Sequence, residues 1–271
     1  MHKTATDASR PEAIEDPSNL WLVHPISWRL LPLALRLDLH PNTVSFAGMG
    51  CGLLAGVCYW QWREPAYVVA GFLLMLAWHV LDGLDGKLAR ASGKASPLGR
   101  IIDGVCDYLA FIFVLVPIAL SFPDWQATLS LALVSGAFHA VQSAWYEGER
   151  EAWKRRQAGC FDVTPRPSGP AIAAPYHWAE ARFNRSHRNM DAALAANPRL
   201  LDSYLAATAP IVRGLSILSA NNRTLAIALA CLAGNPRLYW YWEIAVLTLI
   251  AIAMSHRLRG REAAIISQVA V

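Results

Sequence analysis

Six stretches of this 271-residue sequence are apolar and close to the roughly 20 residues a helix needs to cross a bilayer, and this constrains the fold more than anything else in it. They run from about Thr43 to Trp60, Ala66 to Leu88, Gly99 to Leu120, Ala127 to Tyr146, Pro210 to Ala233 and Leu238 to Ser255. The expected fold class is therefore all-α: a polytopic membrane protein with six transmembrane helices. Composition agrees, since 55% hydrophobic residues, 16% charged residues and a mean hydropathy of +0.28 exclude an ordinary soluble domain. Tryptophans near segment ends, such as Trp60, Trp62, Trp125, Trp145, Trp240 and Trp242, suit the aromatic belt of a bilayer interface. The fifth stretch is the least regular, because Arg213, Asn221, Asn222 and Arg223 give it a polar half. A cavity beside that half would accommodate them.

Four further regions flank or interrupt the spans. Residues 1–19 are polar with Pro11 and Pro17 and read as a flexible cytoplasmic tail, with no apolar run after Lys3 to make a signal peptide. Residues 20–41 mix Trp21, Leu22, Trp28, Leu31 and Leu35 with Arg29 and Arg36, the pattern of a juxtamembrane amphipathic helix lying in the interface. His40-Pro41-Asn42-Thr43 follows as a helix start, with Asn42 a suitable N-cap. The membrane domain is assigned to 42–256, with a cytoplasmic helical insertion at about 147–205, and 257–271 reads as a second tail. In the insertion, Glu147 to Gln157 would extend the fourth helix, Thr164 to Pro175 would form a loop, and Tyr176 to Ala196 would return to helix.

Lys and Arg set the orientation. Residues 1–41, 87–100, 147–205 and 256–271 hold 20 of the 24, so both termini and the loop after the second span face the cytoplasm. A net charge of +4 suits anionic lipid, but the basic residues form no nucleic-acid surface. The five cysteines contain no C-x-x-C pair and are packing residues rather than redox or zinc groups.

Around that loop lie four carboxylates. Asp82 and Asp85 are three residues apart, and Asp103 and Asp107 four, so each pair lies on one helix face. With only Ala91 to Leu98 between the helices, an antiparallel hairpin brings all four to one end. Acids in membrane segments are expensive and mark function. So many together raise each other's pKa unless hard divalent cations such as Mg²⁺ or Mn²⁺ hold them. Gly83, Gly86, Gly99 and Gly104 leave room for close approach to the backbone, and Arg90 adds a fixed cation. Metals, glycines and an arginine together describe a pyrophosphate site.

The string D-x-x-D-G-x-x-A-R-x8-G-x3-D-x3-D, Asp82 to Asp107, resembles the signature of the CDP-alcohol phosphotransferase (phosphatidyltransferase) family at every fixed position. The resemblance implies displacement of CMP from a CDP-alcohol by a second alcohol, at a site of two metal ions, in a six-helix membrane protein that forms a homodimer. It implies that Asp82, Asp85 and Asp103 are metal ligands, with Asp107 a ligand and the catalytic base. Gly86, Ala89, Arg90 and Gly99 would line the CDP pocket. Substrates and membrane lipids are the expected partners, and a bacterial inner membrane the expected setting. CDP-diacylglycerol is the expected donor. The alternative is transfer of a small headgroup such as choline, ethanolamine or inositol phosphate to a lipid hydroxyl, which Ser96-Pro97-Leu98-Gly99 resembles, although Gly104 stands where that branch usually has His.

Outside the signature, Arg213 and Arg223 are candidate ligands for an acceptor phosphate. Arg182, Arg185 and Arg188 share a helix face that suits anionic headgroups. Lys87 and Arg100 read as interfacial anchors. His79, His139 and Gln142 read as buried polar groups satisfied by neighbours. Two rivals remain: an intramembrane prenyltransferase, whose acidic motifs lie farther apart, and a divalent-cation transporter, which has no need of Arg90.

Overall fold

The structure, a computed structural model, describes residues 11–161 and 188–267. Among the described residues there are helices and no strands. A π-helical turn, Asn19–Val23, leads into α1 (His24–Arg36), followed by α2 (Pro41–Trp60), α3 (Pro65–Ala91), α4 (Pro97–Leu120) and α5 (Trp125–Gln157). Residues 188–196 form α6. Then come α7 (Leu200–Gly214), a 3-10 turn (Leu215–Leu218) and α8 (Ala220–Leu232). The last stretch is α9 (Arg237–Tyr241), a π-helical segment (Trp242–Leu247) and α10 (Thr248–Ser267).

Proline sets three of the helix starts. Pro41, Pro65 and Pro97 each stand at the beginning of a helix, where a missing N–H costs nothing. The cap therefore falls one residue earlier. On α2 it is His40, whose Nδ1 accepts the Asn42 N–H at 3.2 Å, and not Asn42 as expected. On α4 it is Ser96, whose Oγ accepts the Gly99 N–H at 3.0 Å.

Four helices are long and apolar enough to cross a membrane: Pro41–Trp60, Pro65–Ala91, Pro97–Leu120 and the continuous Arg237–Ser267. A fifth results if Leu200–Leu218 and Ala220–Leu232, bent by 43° at Ser219, count as one span. The expected stretch Ala127–Tyr146 is helical, within α5, but is not among these spans. His139 and Gln142 interrupt its apolar run.

The chain divides into two compact units, and the first holds residues 17–135 and 220–241. Its centre is α2 against α3 and α4. Gly48, Gly52 and Gly56 make a small-residue stripe on α2, the device by which helices approach closely where no water drives them together. A Cβ at Gly52 would lie 2.8 Å from the Ala110 Cβ, and one at Gly56 only 1.9 Å from the Phe113 carbonyl oxygen. Leu31 and Ala34 of α1 pack with Val44, Leu84 and Leu88, fixing α1 on α3. Trp21, Leu33, Leu35 and Leu37 stay exposed. Where α2 ends and α4 ends, the Trp62 Nε1–H donates to Ser121 Oγ at 2.8 Å and Arg63 to the Ser121 carbonyl at 3.2 Å. Arg237 lies over Phe122, 4.3 Å from its centroid, and donates to Asp124 and to Thr128 Oγ1.

The second unit draws, among the described residues, on 11–16, 136–161, 188–219 and 242–267. Ile14, Trp153, Met190, Leu194, Tyr204, Val212, Leu258 and Ile265 form its core. Arg156 is fully buried there, its Nε donating to Asp191 Oδ1 at 2.6 Å and its Nη1 to Tyr204 and Glu262, both at 2.7 Å. The Gln142 amide donates to the Glu243 carbonyl and to Thr248 Oγ1, each at 3.0 Å.

Described residues of both expected tails take part in this core. Ile14, Glu15 and Asp16 are buried, and Glu15 pairs with Arg150 at 3.1 Å, so residues 11–16 are anchored. Residues 257–267 continue α10, where Leu258, Glu262 and Ile265 make a buried stripe at helical spacing. The expected extension of α5 to Gln157 forms. The expected loop Thr164 to Pro175, and Arg182 and Arg185, lie outside the described residues, while Arg188 is exposed at the start of α6.

Candidate active site

The α3–α4 hairpin closes over a short link in which Ser92 caps α3, Gly93 takes a left-handed φ of 68° and Ser96-Pro97 starts α4. A side chain at Gly93 would be strained in that conformation, so glycine here sets the turn. The hairpin places Asp82, Asp85 and Asp103 together, with one carboxylate oxygen from each within 4.8 Å of the others. Asp85 is in hydrogen-bonding contact with Asp103, and Asp107 with Asp82. All four acids therefore form one cluster, in which Asp85 is buried, 5% exposed, and Asp82, Asp103 and Asp107 are half-buried.

A third helix supports it. Ser45 of α2 is buried, and its hydroxyl donates to Asp85 Oδ2 at 2.5 Å, which orients that carboxylate. Sequence reasoning missed Ser45. Its signal was present, since it stands one turn beyond Pro41, where α2 and α3 run side by side.

Opening from the acids is a cavity of about 330 Å³. Asp85, Gly86, Ala89 and Arg90 line it from α3, Gly99, Arg100 and Asp103 from α4, and Asn42 and Ser45 from α2. All four residues expected to line a nucleotide pocket thus face one space together with two of the acids. Gly86 and Gly99 keep that space open: a Cβ on Gly99 would lie 3.2 Å from Ser96 Oγ, and one on Gly86 3.5 Å from Arg90 Nη1. Gly83 serves a different purpose. Its missing side chain admits Val23 at 3.0 Å and Ser27 at 3.5 Å, so it seats the N-terminal helix and not a ligand. Gly104 has nothing within 4 Å of its Cβ position.

Two residues read as interfacial anchors separate here. Arg100 is exposed and borders the cavity. Lys87 is only 4% exposed, and its ammonium donates to Ser27 Oγ at 2.9 Å and to the Gly83 carbonyl at 2.8 Å. It ties α1 to α3 and is no snorkelling anchor.

His79, one turn before Asp82, is buried and bonds Thr224 Oγ1 of α8 at 2.9 Å. His139 lies 3.9 Å from the buried Glu243. Both histidines, like Gln142, have the neighbours that were expected of them. Arg223, beside Thr224, is fully buried in the first unit, and Arg213 belongs to α7 in the second.

Residues 38–154 match the family model described as CDP-alcohol phosphatidyltransferase. Among curated proteins the chain is similar to "Cholinephosphotransferase 1" of Xenopus laevis, 30% identical over 114 residues, 40% of this chain and 27% of that one. It is similar to "Archaetidylinositol phosphate synthase" of Pyrococcus horikoshii, 36% identical over 93 residues, 34% of this chain and 47% of that one. "Phosphatidylinositol phosphate synthase" of Cutibacterium acnes is 30% identical over 112 residues, 38% and 51% of the two chains. The matched region thus spans 27% to 51% of the length of these relatives. No solved structure matches the chain. The match contains the whole α2–α4 assembly with its acids and its cavity, and over residues 38–154 this chain is similar to the CDP-alcohol phosphatidyltransferase family.

Proposed function

We propose that this protein is an integral-membrane enzyme of phospholipid biosynthesis that transfers a substituted phosphate from a CDP-alcohol to an acceptor alcohol and releases CMP. The observation that carries the reading is a cavity in which Gly86, Ala89, Arg90 and Gly99 share the lining with Asp85 and Asp103. A nucleotide held there would put its pyrophosphate beside the acidic cluster.

The acids suit divalent metal. One carboxylate oxygen from each of Asp82, Asp85 and Asp103 lies within 4.8 Å of the others, a set of hard oxygen donors that could hold a divalent cation. Four clustered carboxylates inside a membrane protein also need cations to remain charged together. Asp82, Asp85, Asp103 and Asp107 would hold two ions, Mg²⁺ or Mn²⁺, which when bound supply neutralisation of the charge that develops as CMP departs. Arg90 orients the pyrophosphate, and Ser45 keeps Asp85 turned toward the cluster. Asp107 takes the proton of the acceptor hydroxyl as the new P–O bond forms and the P–O bond to CMP breaks. Arg213 and Arg223 are each a candidate for an acceptor's phosphate.

CDP-diacylglycerol is the proposed donor, supported by the two synthase relatives whose names are of inositol phosphate lipids. Transfer of a small headgroup is the second reading, supported by the cholinephosphotransferase match and by Ser96-Pro97-Leu98-Gly99. The rest of the proposal is a homodimer with six spans, the polar-faced α5 and the bent α7–α8 pair included. It adds an interfacial helix at 20–41 and a cytoplasmic site in a bacterial inner membrane.

The test is metal-dependent CMP release by the protein in lipid, from CDP-diacylglycerol, CDP-choline, CDP-ethanolamine and CDP-inositol with a panel of acceptors. Release from one donor, abolished in Asp107→Asn while nucleotide binding persists, is the expected result. Undiminished turnover in Asp107→Asn would remove the base assignment. Ion transport without CMP release would favour the transporter.

A further inference from the structure

The cavity has a basic residue at its edge that the family signature does not contain. Lys94 lies in the α3–α4 link, among the residues lining the cavity with Arg90 and Arg100. Its ammonium is 2.8 Å from Asp38 Oδ1, in the turn between α1 and α2. That pair joins the link to the turn before α2, whose Pro41 and Asn42 line the cavity with Lys94. Asp38 is 91% exposed and Lys94 34%, so the pair stands in water and is weakly held. The hydrogen bond from Lys94, and then its charge, hold the Asp38 carboxyl below the ordinary carboxylate range. Asp38 also adopts a φ of 45°, a left-handed conformation uncommon outside glycine that orients the carboxylate from a tight turn.

We infer that Lys94 is a phosphate-binding residue of the nucleotide site, exchanging Asp38 for a phosphate oxygen of the CDP-alcohol donor or of CMP. This rests on the nucleotide reading proposed above. A single carboxylate exposed to water competes poorly with a phosphate that carries more charge and is held by Arg90 as well. A lysine suits such an exchange, being a flexible point charge without the fixed fork of arginine. Asp38 then acts as a competitor: it holds the ammonium when the site is empty and sets how tightly nucleotide is held. The pair would tune release of CMP without touching the reacting atoms.

The two partners should therefore shift binding in opposite directions, which a purely structural clasp would not do. The experiment measures affinity for CMP and for cytidine with Mg²⁺ present, by calorimetry on the full chain in nanodiscs, for the wild type, Lys94→Met and Asp38→Asn. Asparagine tolerates the left-handed conformation, so Asp38→Asn removes charge without straining the turn. CMP should bind about 3- to 10-fold more weakly to Lys94→Met. It should bind more tightly to Asp38→Asn, with cytidine unchanged in both and the differences shrinking as salt rises. CMP affinity unchanged in both variants would overturn the inference. So would equal weakening in both, which would mark a clasp between the link and α2. Wild-type protein that neither binds CMP nor releases it from any donor would overturn the nucleotide reading itself, and the role of Lys94 with it. Thermal unfolding of each variant separates these outcomes from misfolding.

Discussion

Replacing Gly56 by alanine should damage the protein far more than its single methyl suggests. A Cβ at Gly56 would sit 1.9 Å from the Phe113 carbonyl oxygen and 2.8 Å from its carbon, and real Cβ contacts essentially never fall under 3.0 Å. The difference, 3.0 − 1.9 = 1.1 Å, is the least by which α2 and α4 must part at this point. A backbone carbonyl in mid-helix cannot swing away as a side chain can. A gap of 0.5 to 1 Å forfeits about a quarter to a half of each dispersion contact it opens, and Gly52 against Ala110, one turn away, lies within the same seam. Overpacking of this kind costs about 1–3 kcal/mol, which at roughly 2–4 °C per kcal/mol for a chain of this size lowers the Tm by about 2–12 °C. Gly50, in the same helix, has nothing within 4 Å of its Cβ position. Gly50→Ala should be neutral or stabilising by up to about 1 kcal/mol, because alanine is the better helix former. The assay is thermal unfolding of both variants in one detergent, followed by tryptophan fluorescence. Gly56→Ala melting within 1 °C of Gly50→Ala, on the order of a few tenths of a kcal/mol, would refute the close approach of α2 to α4.

Ser45→Ala removes the hydroxyl that orients Asp85. Manganese affinity, measured by titration, should fall about 10- to 100-fold, with the fold intact by circular dichroism; unchanged affinity would detach Ser45 from the acids. Glu149 supplies a pH prediction. Burial first, and then the charge of Glu262, push its carboxyl up to about 7 from 4.5. The Trp145 indole, Arg156 and Arg259 oppose that shift. A carboxyl that protonates more readily when folded stabilises the fold below pH 4.5 relative to high pH. That contribution is lost as pH rises from 4.5 to about 7 and is gone above it. Glu149→Gln should therefore be more stable than wild type at pH 8, by a few kcal/mol, about 1.4 for each unit of pKa difference. The advantage should shrink toward pH 5, as denaturation series at the two pH values would register. A stability difference that does not change with pH would remove Glu149 as its source.

The hairpin of acids was legible because its information is local. Helical spacing puts Asp82 with Asp85 and Asp103 with Asp107, Ser96-Pro97 starts the second helix, and an eight-residue link leaves the two ends no room to separate. What the sequence hid depends on partners far along the chain. Lys87 looks like any basic residue at a helix end, and only Ser27, 60 residues earlier, reveals it as a buried tie. Ser45 reads as an ordinary helical serine until Asp85 is beside it. The polar residues 11–16 resemble a tail because Glu15 and Asp16 are charged, and their burial depends on Arg150 and Ser219. Leu258, Glu262 and Ile265 were too sparse a pattern to outweigh the three arginines between residues 257 and 261. In α5, His139 and Gln142 weaken an apolar signal that is strong elsewhere.

The α2–α4 assembly also has a consequence for biogenesis. Every acid of the cluster, the serine that orients one of them and the lining of the cavity come from residues 41–107, so the site is encoded by a continuous early piece of chain. During synthesis the first three long helices can pair before α7, α8 and α10 exist, because the glycine stripe and the residues lining the cavity all lie within them and their links. Each acid carries a cost of insertion that is largest at the bilayer centre and small near a helix end. The hairpin keeps Asp82 and Asp85 in the last turns of α3 and Asp103 and Asp107 in the first turns of α4. A nascent chain of this design can hand its acids to the membrane surface, where dissolved cations can reach them while the ribosome is still at work on the remaining helices.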